Sequence, residues 1–143
     1  MIHFNLNYHN LIHRDLSDKL SIIETVDRDI IQESINNFNN EIMWDGMFDL
    51  NKTIRRFREG DKFFVAKYNG EIFGHCWLKK ESTNKFYIYN VFSKELPTGR
   101  PYGATDMLYE VIKNNTHGTI CSEVDEWNEK SMKVFRKLGF IDI

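Results

Sequence analysis

The stretch that decides the fold runs Asn128-Glu-Lys-Ser-Met-Lys-Val-Phe-Arg-Lys-Leu-Gly139-Phe140. It predicts a helix with a clear beginning and a clear end. Asn128 can cap the unpaired amides of the first turn. Gly139 stands where a helix commonly ends in a left-handed residue, and Phe140 can pack back on the last turn. The apolar residues recur at three-residue spacing and therefore share one face: Met132, Phe135 and Leu138.

The residues before this helix alternate between strand and helix patterns. A β-branched run predicts a strand over 118–124, and apolar residues over 107–112 predict a helix that ends at Asn114-Asn115. Residues 85–92 are rich in aromatic and β-branched side chains and predict a further strand. A strand-helix-strand order of this kind implies one parallel pairing inside the sheet.

A hairpin precedes this unit. The hydrophobic period becomes two over 63–68, Asn69-Gly70 follows, and residues 71–78 resume the extended pattern. Asn-Gly between two such runs is a strong signal for a two-residue hairpin. With the strand over 85–92, these runs predict an antiparallel meander of three strands.

The amino-terminal half carries helical spacing. Apolar residues keep that spacing from Leu16 to Phe38, and Asp27 can cap a helix that begins near Arg28. Residues 21–25 fit a short strand or a helix equally well. A second helix is predicted over 49–58, and an acidic and aromatic segment lies between the two helices.

The predicted order is therefore helix, helix, three strands, helix, strand, helix. It indicates an α+β fold, with a mixed, mostly antiparallel twisted sheet flanked by about four helices. We expect one domain over residues 1–143, with residues 1–20 as an extra amino-terminal segment.

Composition narrows the class of protein. The 143 residues are 41 % hydrophobic and 14 % aromatic, which favours a packed core over disorder. A formal net charge of −2 argues against nucleic acid or a membrane surface as partner. Cys76 and Cys121 are far apart, and no histidine or cysteine spacing indicates a metal site. We therefore expect free thiols, no metal and a cytoplasmic location.

A turn that can bind anions follows the strand over 85–92. Arg100 and Gly103 lie in this turn, directly before a predicted helix. Amides at a helix start are unpaired and lie at the positive end of the helix dipole. Taken alone, this is a weak signal, and a purely structural turn is the default interpretation.

Two motifs together resemble the GNAT superfamily, the acyl-coenzyme A-dependent N-acetyltransferases. Arg100-Pro-Tyr-Gly103-Ala-Thr105 is similar to the family's Q/R-x-x-G-x-G/A loop, and residues 128–140 are similar to its N-x-x-(A/S)-x-x-x-Y-x-x-x-G-F ending. The resemblance covers about residues 22 to 140. It implies a GNAT-like fold in which a bulge in the third meander strand, near Asn90, parts that strand from the next.

The resemblance also implies an activity and a set of contacts. The activity is acetyl transfer from acetyl-coenzyme A directly to a primary amine of a small molecule or peptide, within a ternary complex. The loop between the first two helices, with Glu41, Trp44 and Asp45, would recognise the acceptor. The residues implied to bind the coenzyme are Val91, Phe92, Arg100, Tyr102, Gly103, Ala104, Thr105, Asn128 and Phe135.

The chain departs from the family pattern at two of these positions. Thr105 replaces a glycine or alanine; its β-branched side chain would crowd the pyrophosphate, although its hydroxyl could also donate to it. Phe135 replaces the usual acid tyrosine, so either Tyr87, Tyr89 or a water protonates the thiolate, or the thiolate leaves unassisted, or no transfer takes place. Glu123 is the candidate general base, although a surface carboxylate fits the same pattern. The alternative is a catalytically impaired GNAT-fold protein that acts as a coenzyme A-binding or interaction module.

We expect the family's usual last two strands to be missing, so that the fold is abbreviated at its carboxyl end. The strand over 118–124 would then present an exposed edge, and a bare edge pairs with another strand. The candidates to cover it are the segment His3 to His13 or a second subunit, which would make a homodimer.

Overall fold

The computed structural model describes residues 1–41, 50–94 and 103–143. These residues form one mixed sheet of seven strands in the order β2-β3-β4-β5-β6-β1-β7, with four α-helices. All neighbouring strands pair antiparallel except β5 and β6, which pair parallel as predicted. The strands are β1 (Ile2–Asn7), β2 (Leu20–Glu24), β3 (Lys62–Tyr68), β4 (Glu71–Ser82), β5 (Lys85–Ser93), β6 (Thr119–Val124) and β7 (Ile141–Asp142). The helices are α1 (Arg28–Glu41), α2 (Leu50–Arg58), α3 (Gly103–Asn115) and α4 (Glu129–Leu138).

The predicted hairpin joins β3 to β4. Asn69 and Gly70 both have positive φ, at 51° and 81°, and this pair of values is typical of the two-residue turns that match the twist of a hairpin. The meander of β3, β4 and β5 is confirmed by the antiparallel pairing of its strands.

The region before α1 resolves an open alternative. Residues Leu20–Glu24 form β2, which pairs with β3 from Leu20 opposite Tyr68 to Glu24 opposite Phe64. The prediction of a helix from the spacing that begins at Leu16 is therefore wrong over these residues. They form a strand because pairing with the edge of β3 satisfies their backbone hydrogen-bonding groups. The predicted helix start is confirmed: Asp27 Oδ1 accepts hydrogen bonds from the amides of Asp29 at 2.9 Å and Ile30 at 3.2 Å.

Helices cover both faces of the sheet. α3 and α4 pack on one face and contribute apolar side chains to the larger core cluster, while α1 and α2 pack on the other face with a smaller cluster. Fully buried members of the larger cluster include Phe4, Leu78, Ile88, Leu108, Ile120 and Leu138. Buried members of the smaller cluster include Ile31, Ile35, Phe57, Phe63 and Trp77.

The edge of β6 is covered by the chain's own amino terminus. β1 pairs antiparallel with β6 over six residues, and β7 pairs with the other edge of β1. The predicted use of the His3–His13 segment is thus confirmed for its first half. The homodimer was predicted because β6 was expected to have an exposed edge. Since β1 covers that edge, the structure gives no support for the homodimer.

The segment after β1 runs along α3 and α4. The amide of Ile12 donates to the carbonyl of Leu138 at 3.0 Å. Arg14 donates through Nε, and its guanidinium lies 2.8 Å from the buried carboxylate of Asp106 in the first turn of α3. The amino-terminal segment therefore fastens the helix that begins at the predicted anion-binding turn.

Both ends of α4 agree with the prediction. Asn128 Oδ1 accepts from the amide of Ser131 at 3.2 Å, and Gly139 adopts φ 105° in the left-handed region. The amide of Phe140 donates to the carbonyl of Phe135 at 3.1 Å, which closes the last turn. No helix among the described residues is both long and apolar enough to cross a membrane.

Candidate functional site

The two parallel strands of the sheet, β5 and β6, separate along their length. β5 and β6 pair at four positions, from Lys85 opposite Thr119 to Ile88 opposite Ser122. β5 then continues to Ser93 and β6 to Val124, and over these described residues the two strands no longer pair with each other. A wedge therefore opens in the sheet immediately beyond Ile88.

A bulge on β5 lies along this wedge. His75 pairs with Phe92 and Trp77 pairs with Tyr89, so that Cys76 alone faces two residues of β5, Asn90 and Val91. A bulge of this kind bends its strand and redirects its backbone. The predicted position of the bulge is confirmed.

α3 begins after β5 and buries its first turn. Gly103, Thr105 and Asp106 are buried, and Ala104 is half-buried. The Thr105 hydroxyl is fully buried and has no hydrogen-bond partner among the described residues. A buried, unpaired hydroxyl is destabilising unless a ligand or water uses it. An anion bound at the start of α3 would supply the missing acceptor.

A cavity of about 570 Å³ opens on the face of the sheet that carries α1 and α2. It lies over β5, β6 and β1, beside the point where β5 and β6 separate. Side chains from all three strands line it, among them Lys85, Tyr87, Cys121, Glu123, His3 and Asn5. The cavity is open to solvent, and polar and apolar groups share its lining.

Glu123 lies at the junction of the wedge and the cavity. It is the first residue of β6 beyond the last pair with β5. The Tyr87 hydroxyl donates a hydrogen bond to its carboxylate, and His3 Nδ1 lies 3.2 Å from its Oε1. The structure thus brings together two predicted residues, Glu123 and Tyr87, with a third that the sequence did not single out.

The environment of Tyr87 disfavours loss of its proton. Burial raises the pKa of Tyr87, and the hydrogen bond and negative charge of Glu123 raise it further. A phenol whose pKa is raised holds its proton at neutral pH and is a poor proton donor to a thiolate. Tyr87 is therefore better suited to donate a hydrogen bond to Glu123 than to act as the general acid.

Two other reactive groups near the site are held neutral. Burial raises the pKa of the Cys121 thiol, so this cysteine is a poor nucleophile. Burial lowers the pKa of His75 to about 3, and its Nδ1 lies 2.5 Å from the hydroxyl of Ser34. His75 belongs to β4 and contacts Ser34 of α1.

Phe135 is a core residue on the opposite face of the sheet. Its ring stacks on Phe4 of β1 with centroids 5.9 Å apart and contacts Phe140 edge-on at 5.1 Å. Only 4 % of the residue is exposed. Its phenyl ring has no proton to give, and β1 supplies a ring that packs against it.

Other predicted residues fall where the structure describes little or nothing. Arg100, Tyr102, Trp44 and Asp45 lie outside the described residues. Tyr89 is described through its backbone, which pairs with Trp77, and Glu41 through its place at the end of α1.

Sequence reasoning missed His3 as a site residue. A signal was present, since apolar residues alternate with polar ones over Ile2–Asn7 and this pattern is typical of a strand with one buried face. Alternation predicts a strand but not its neighbour, so the pairing of His3 with Glu123 required the sheet order.

Comparisons with known proteins agree with this geometry. A family model described as "Acetyltransferase (GNAT) family" matches residues 24–140. A search of curated proteins found no match.

Solved structures share the fold at low sequence identity. A GCN5-related N-acetyltransferase from Kribbella flavida superposes with a TM-score of 0.63 at 9 % identity, over 99 % of this chain and 53 % of that one. A putative acetyltransferase from Salmonella typhimurium, solved with its cofactor acetyl-CoA, gives 0.62 at 14 % identity, over 84 % and 78 %. An aminoglycoside acetyltransferase from an uncultured soil metagenomic sample, in complex with sisomicin, gives 0.66 at 13 % identity, over 85 % and 88 %. The chain spans about half the length of several solved structures that it matches.

Proposed function

The chain belongs to the GNAT acetyltransferase family, and on that premise we propose that it transfers an acetyl group from acetyl-coenzyme A directly to a primary amine. The observation that carries the proposal is the wedge between β5 and β6, which has the bulge at Asn90 and Val91 on one side and Glu123 on the other. A thioester arm seated in the wedge would bring its carbonyl next to backbone amides and its carbon next to a carboxylate.

The coenzyme's phosphates fit the start of α3. The amides of residues 100–105 would hold the pyrophosphate, with the side chain of Arg100 adding positive charge. The buried hydroxyl of Thr105 supports this assignment, because a phosphate oxygen would accept its unused hydrogen bond. Asn128, at the start of α4, would contact the arm in addition to capping the helix.

A few protein groups would carry out the acetyl transfer. The amides of Val91 and Phe92 would donate to the thioester oxygen as it becomes negative. Glu123 would accept the proton that the amine loses while its nitrogen bonds to the acetyl carbon and the carbon–sulfur bond breaks. The thiolate would leave with a proton from water, since Phe135 has none and the pKa of Tyr87 is raised.

The acceptor is proposed to be a hydrophilic amine. The cavity beside Glu123 is lined by polar side chains from three strands and is large enough for a small molecule or a lysine side chain. The similarity to an aminoglycoside acetyltransferase in complex with sisomicin makes aminoglycosides the first compounds to test.

Coenzyme binding is tested by thermal unfolding with and without acetyl-coenzyme A. A ligand at 100 times its dissociation constant stabilises the folded state by about 2.7 kcal/mol. No shift at saturating coenzyme would refute the proposal. Transfer is then tested by thiol release over a panel of aminoglycosides, polyamines and lysine peptides.

Two threonine variants, one in the first turn of α3 and one at the residue that follows its end, test the phosphate assignment. Thr105→Val removes a hydroxyl without a described partner, so the folded state should keep its stability while coenzyme affinity falls about tenfold or more. Thr116→Val is the matched control at the other end of α3, where the hydroxyl donates to the carbonyl of Ile112 at 2.7 Å. It should lose stability and keep affinity. Unchanged affinity in Thr105→Val would contradict the assignment.

A second function is favoured by the burial of Phe135 in the core. Without a tyrosine at this position the protein would bind coenzyme A and act as an interaction module. A thermal shift without thiol release from any amine of the panel would support this function over transfer.

A further inference from the structure

The amino-terminal strand adds a residue to the proposed site. β1 pairs with β6 in a register that places His3 directly opposite Glu123. Directly opposed residues of an antiparallel pair project from the same face of the sheet. That face is the one that carries the cavity, which His3, Tyr87 and Glu123 all line.

The carboxylate of Glu123 has an interacting side chain on each side. Tyr87 donates to it from β5, and His3 Nδ1 lies 3.2 Å from Oε1 on the β1 side. The side chains of His3 and Glu123 are 54 % and 38 % exposed, so their pairing contributes little to the stability of the fold. A contact that adds little stability can still orient a flexible side chain, and this contact lies at the mouth of the wedge.

We infer that His3 is a positioning residue that holds Glu123 in place to accept the proton of the acceptor amine. This inference rests on the proposed function and deepens it. A base that is oriented by a third group is a recurrent arrangement in group-transfer enzymes. The proton moves from the amine nitrogen to Glu123, while the Nδ1–H of His3 stays on its nitrogen and donates to the carboxylate.

The inference gives the amino-terminal strand a role in the chemistry as well as in the fold. Of the residues on β1, Phe4 and Leu6 enter the core on one face, while His3 and Asn5 line the cavity on the other. The strand that covers the edge of β6 therefore also forms the outer wall of the acceptor cavity.

The first test does not depend on any activity. Nitrogen NMR on protein with labelled histidine, at mildly alkaline pH, reports which ring nitrogen of His3 carries the proton. His3→Gln assigns the resonance. We expect a protonated Nδ1 in the wild type and a proton on Nε2 in Glu123→Ala. An unprotonated Nδ1 in the wild type would overturn the inference.

The second test uses the panel amine that gives the fastest thiol release. His3→Leu should lower kcat about tenfold, as expected for a misplaced base, with the KM for acetyl-coenzyme A unchanged. His3→Asn, whose side-chain amide can donate from nearly the place of Nδ1, should recover most of the rate. The double variant His3→Leu/Glu123→Gln should be no slower than Glu123→Gln alone, since positioning is useless without the base.

The two proposals fail in different ways. A wild-type kcat in His3→Leu, or an additive loss in the double variant, would overturn the role of His3 while leaving acetyl transfer intact. If no amine of the panel is acetylated, the proposed function fails, and the ring-nitrogen measurement still decides whether His3 holds Glu123.

Discussion

Gly74 on β4 and Phe92 on β5 approach so closely that a Cβ on Gly74 would lie 2.7 Å from the carbonyl oxygen of Phe92. The same atom would lie 3.2 Å from Met107 Sδ on α3. Gly74 therefore lets the bulged part of β5 lie close to its neighbour. The conformation of the bulge depends on a residue of the adjoining strand that has no side chain.

We predict that Gly74→Ala displaces the bulge. The clash is with a backbone atom, so β5 must move, and we expect a loss of about 1–3 kcal/mol of stability together with weaker binding of acetyl-coenzyme A. Thermal unfolding and calorimetric titration measure the two effects.

The control for this prediction is Gly60→Ala. Gly60 has φ 115°, and a Cβ added there would meet no described atom within 4 Å, so alanine is strained without a clash. It should lower stability and leave coenzyme affinity unchanged. Wild-type affinity in Gly74→Ala would show that the bulge is not needed for binding.

Asn128 allows capping and ligand contact to be separated. Asn128→Ala removes the acceptor for the Ser131 amide and should cost about 1 kcal/mol of stability. Asn128→Ser restores a capping oxygen and should recover that stability. If Asn128 also contacts the coenzyme arm, serine will not recover the affinity, whereas equal recovery of both would leave Asn128 as a cap alone.

Arg14 is predicted to hold the start of α3. Its guanidinium pairs at 2.8 Å with Asp106, which is 3 % exposed, so Arg14→Met removes a cation from a buried carboxylate. We expect a loss of about 3 kcal/mol of stability in chemical denaturation, and weaker coenzyme binding. Lys62→Met is the control, because Lys62 and Glu24 form an exposed pair at 4.0 Å, and it should change stability by less than about 1 kcal/mol. Similar losses in both variants would contradict the prediction.

His75 should make stability depend on pH in the acid range. Burial lowers its pKa to about 3 in the folded chain, against an unfolded value of 6.5. Below pH 6.5 the unfolded chain therefore binds a proton at His75 that the folded chain does not bind. As the pH is lowered from 6.5 to about 3, the free energy of unfolding decreases. His75 is expected to add about 1.4 kcal/mol per pH unit to the slope of the unfolding free energy against pH, on top of the contribution of the other titrating groups.

The measurement compares the wild type with His75→Gln. Denaturant unfolding at several pH values should show a shallower loss of stability in the variant below pH 6.5, whatever its stability at neutral pH. The exposed histidines are common to both proteins, so the difference isolates His75. Parallel curves would show that His75 is protonated in the folded state.

The elements that the sequence predicted well carry their signals within a few residues. The Asn69-Gly70 turn, the caps of α4 and the Asp27 cap of α1 each depend on a local conformation or a bond to a near neighbour. The bounds of β3 and β5 also agreed to within one residue, whereas β4 runs to Ser82, beyond its predicted end at residue 78.

Predictions that depended on spacing alone were weaker. Residues 16–26 kept a helical spacing, yet Leu20–Glu24 form β2 because the edge of β3 was available to pair with them. A short apolar segment fits either period, and the neighbour decides which is realised.

The sequence by itself determined most of the local elements, the family and the region of the wedge, because helix caps, a tight turn and a strand-helix-strand unit are encoded by adjacent residues. Only the tertiary structure decided that β1 lies between β6 and β7. That placement pairs His3 with Glu123, stacks Phe4 on Phe135 and, through the segment that follows, pairs Arg14 with Asp106. Each of these contacts joins residues far apart in the chain, and each depends on which strand covers the edge of β6, a choice made by the packing of the whole sheet and not by any local pattern.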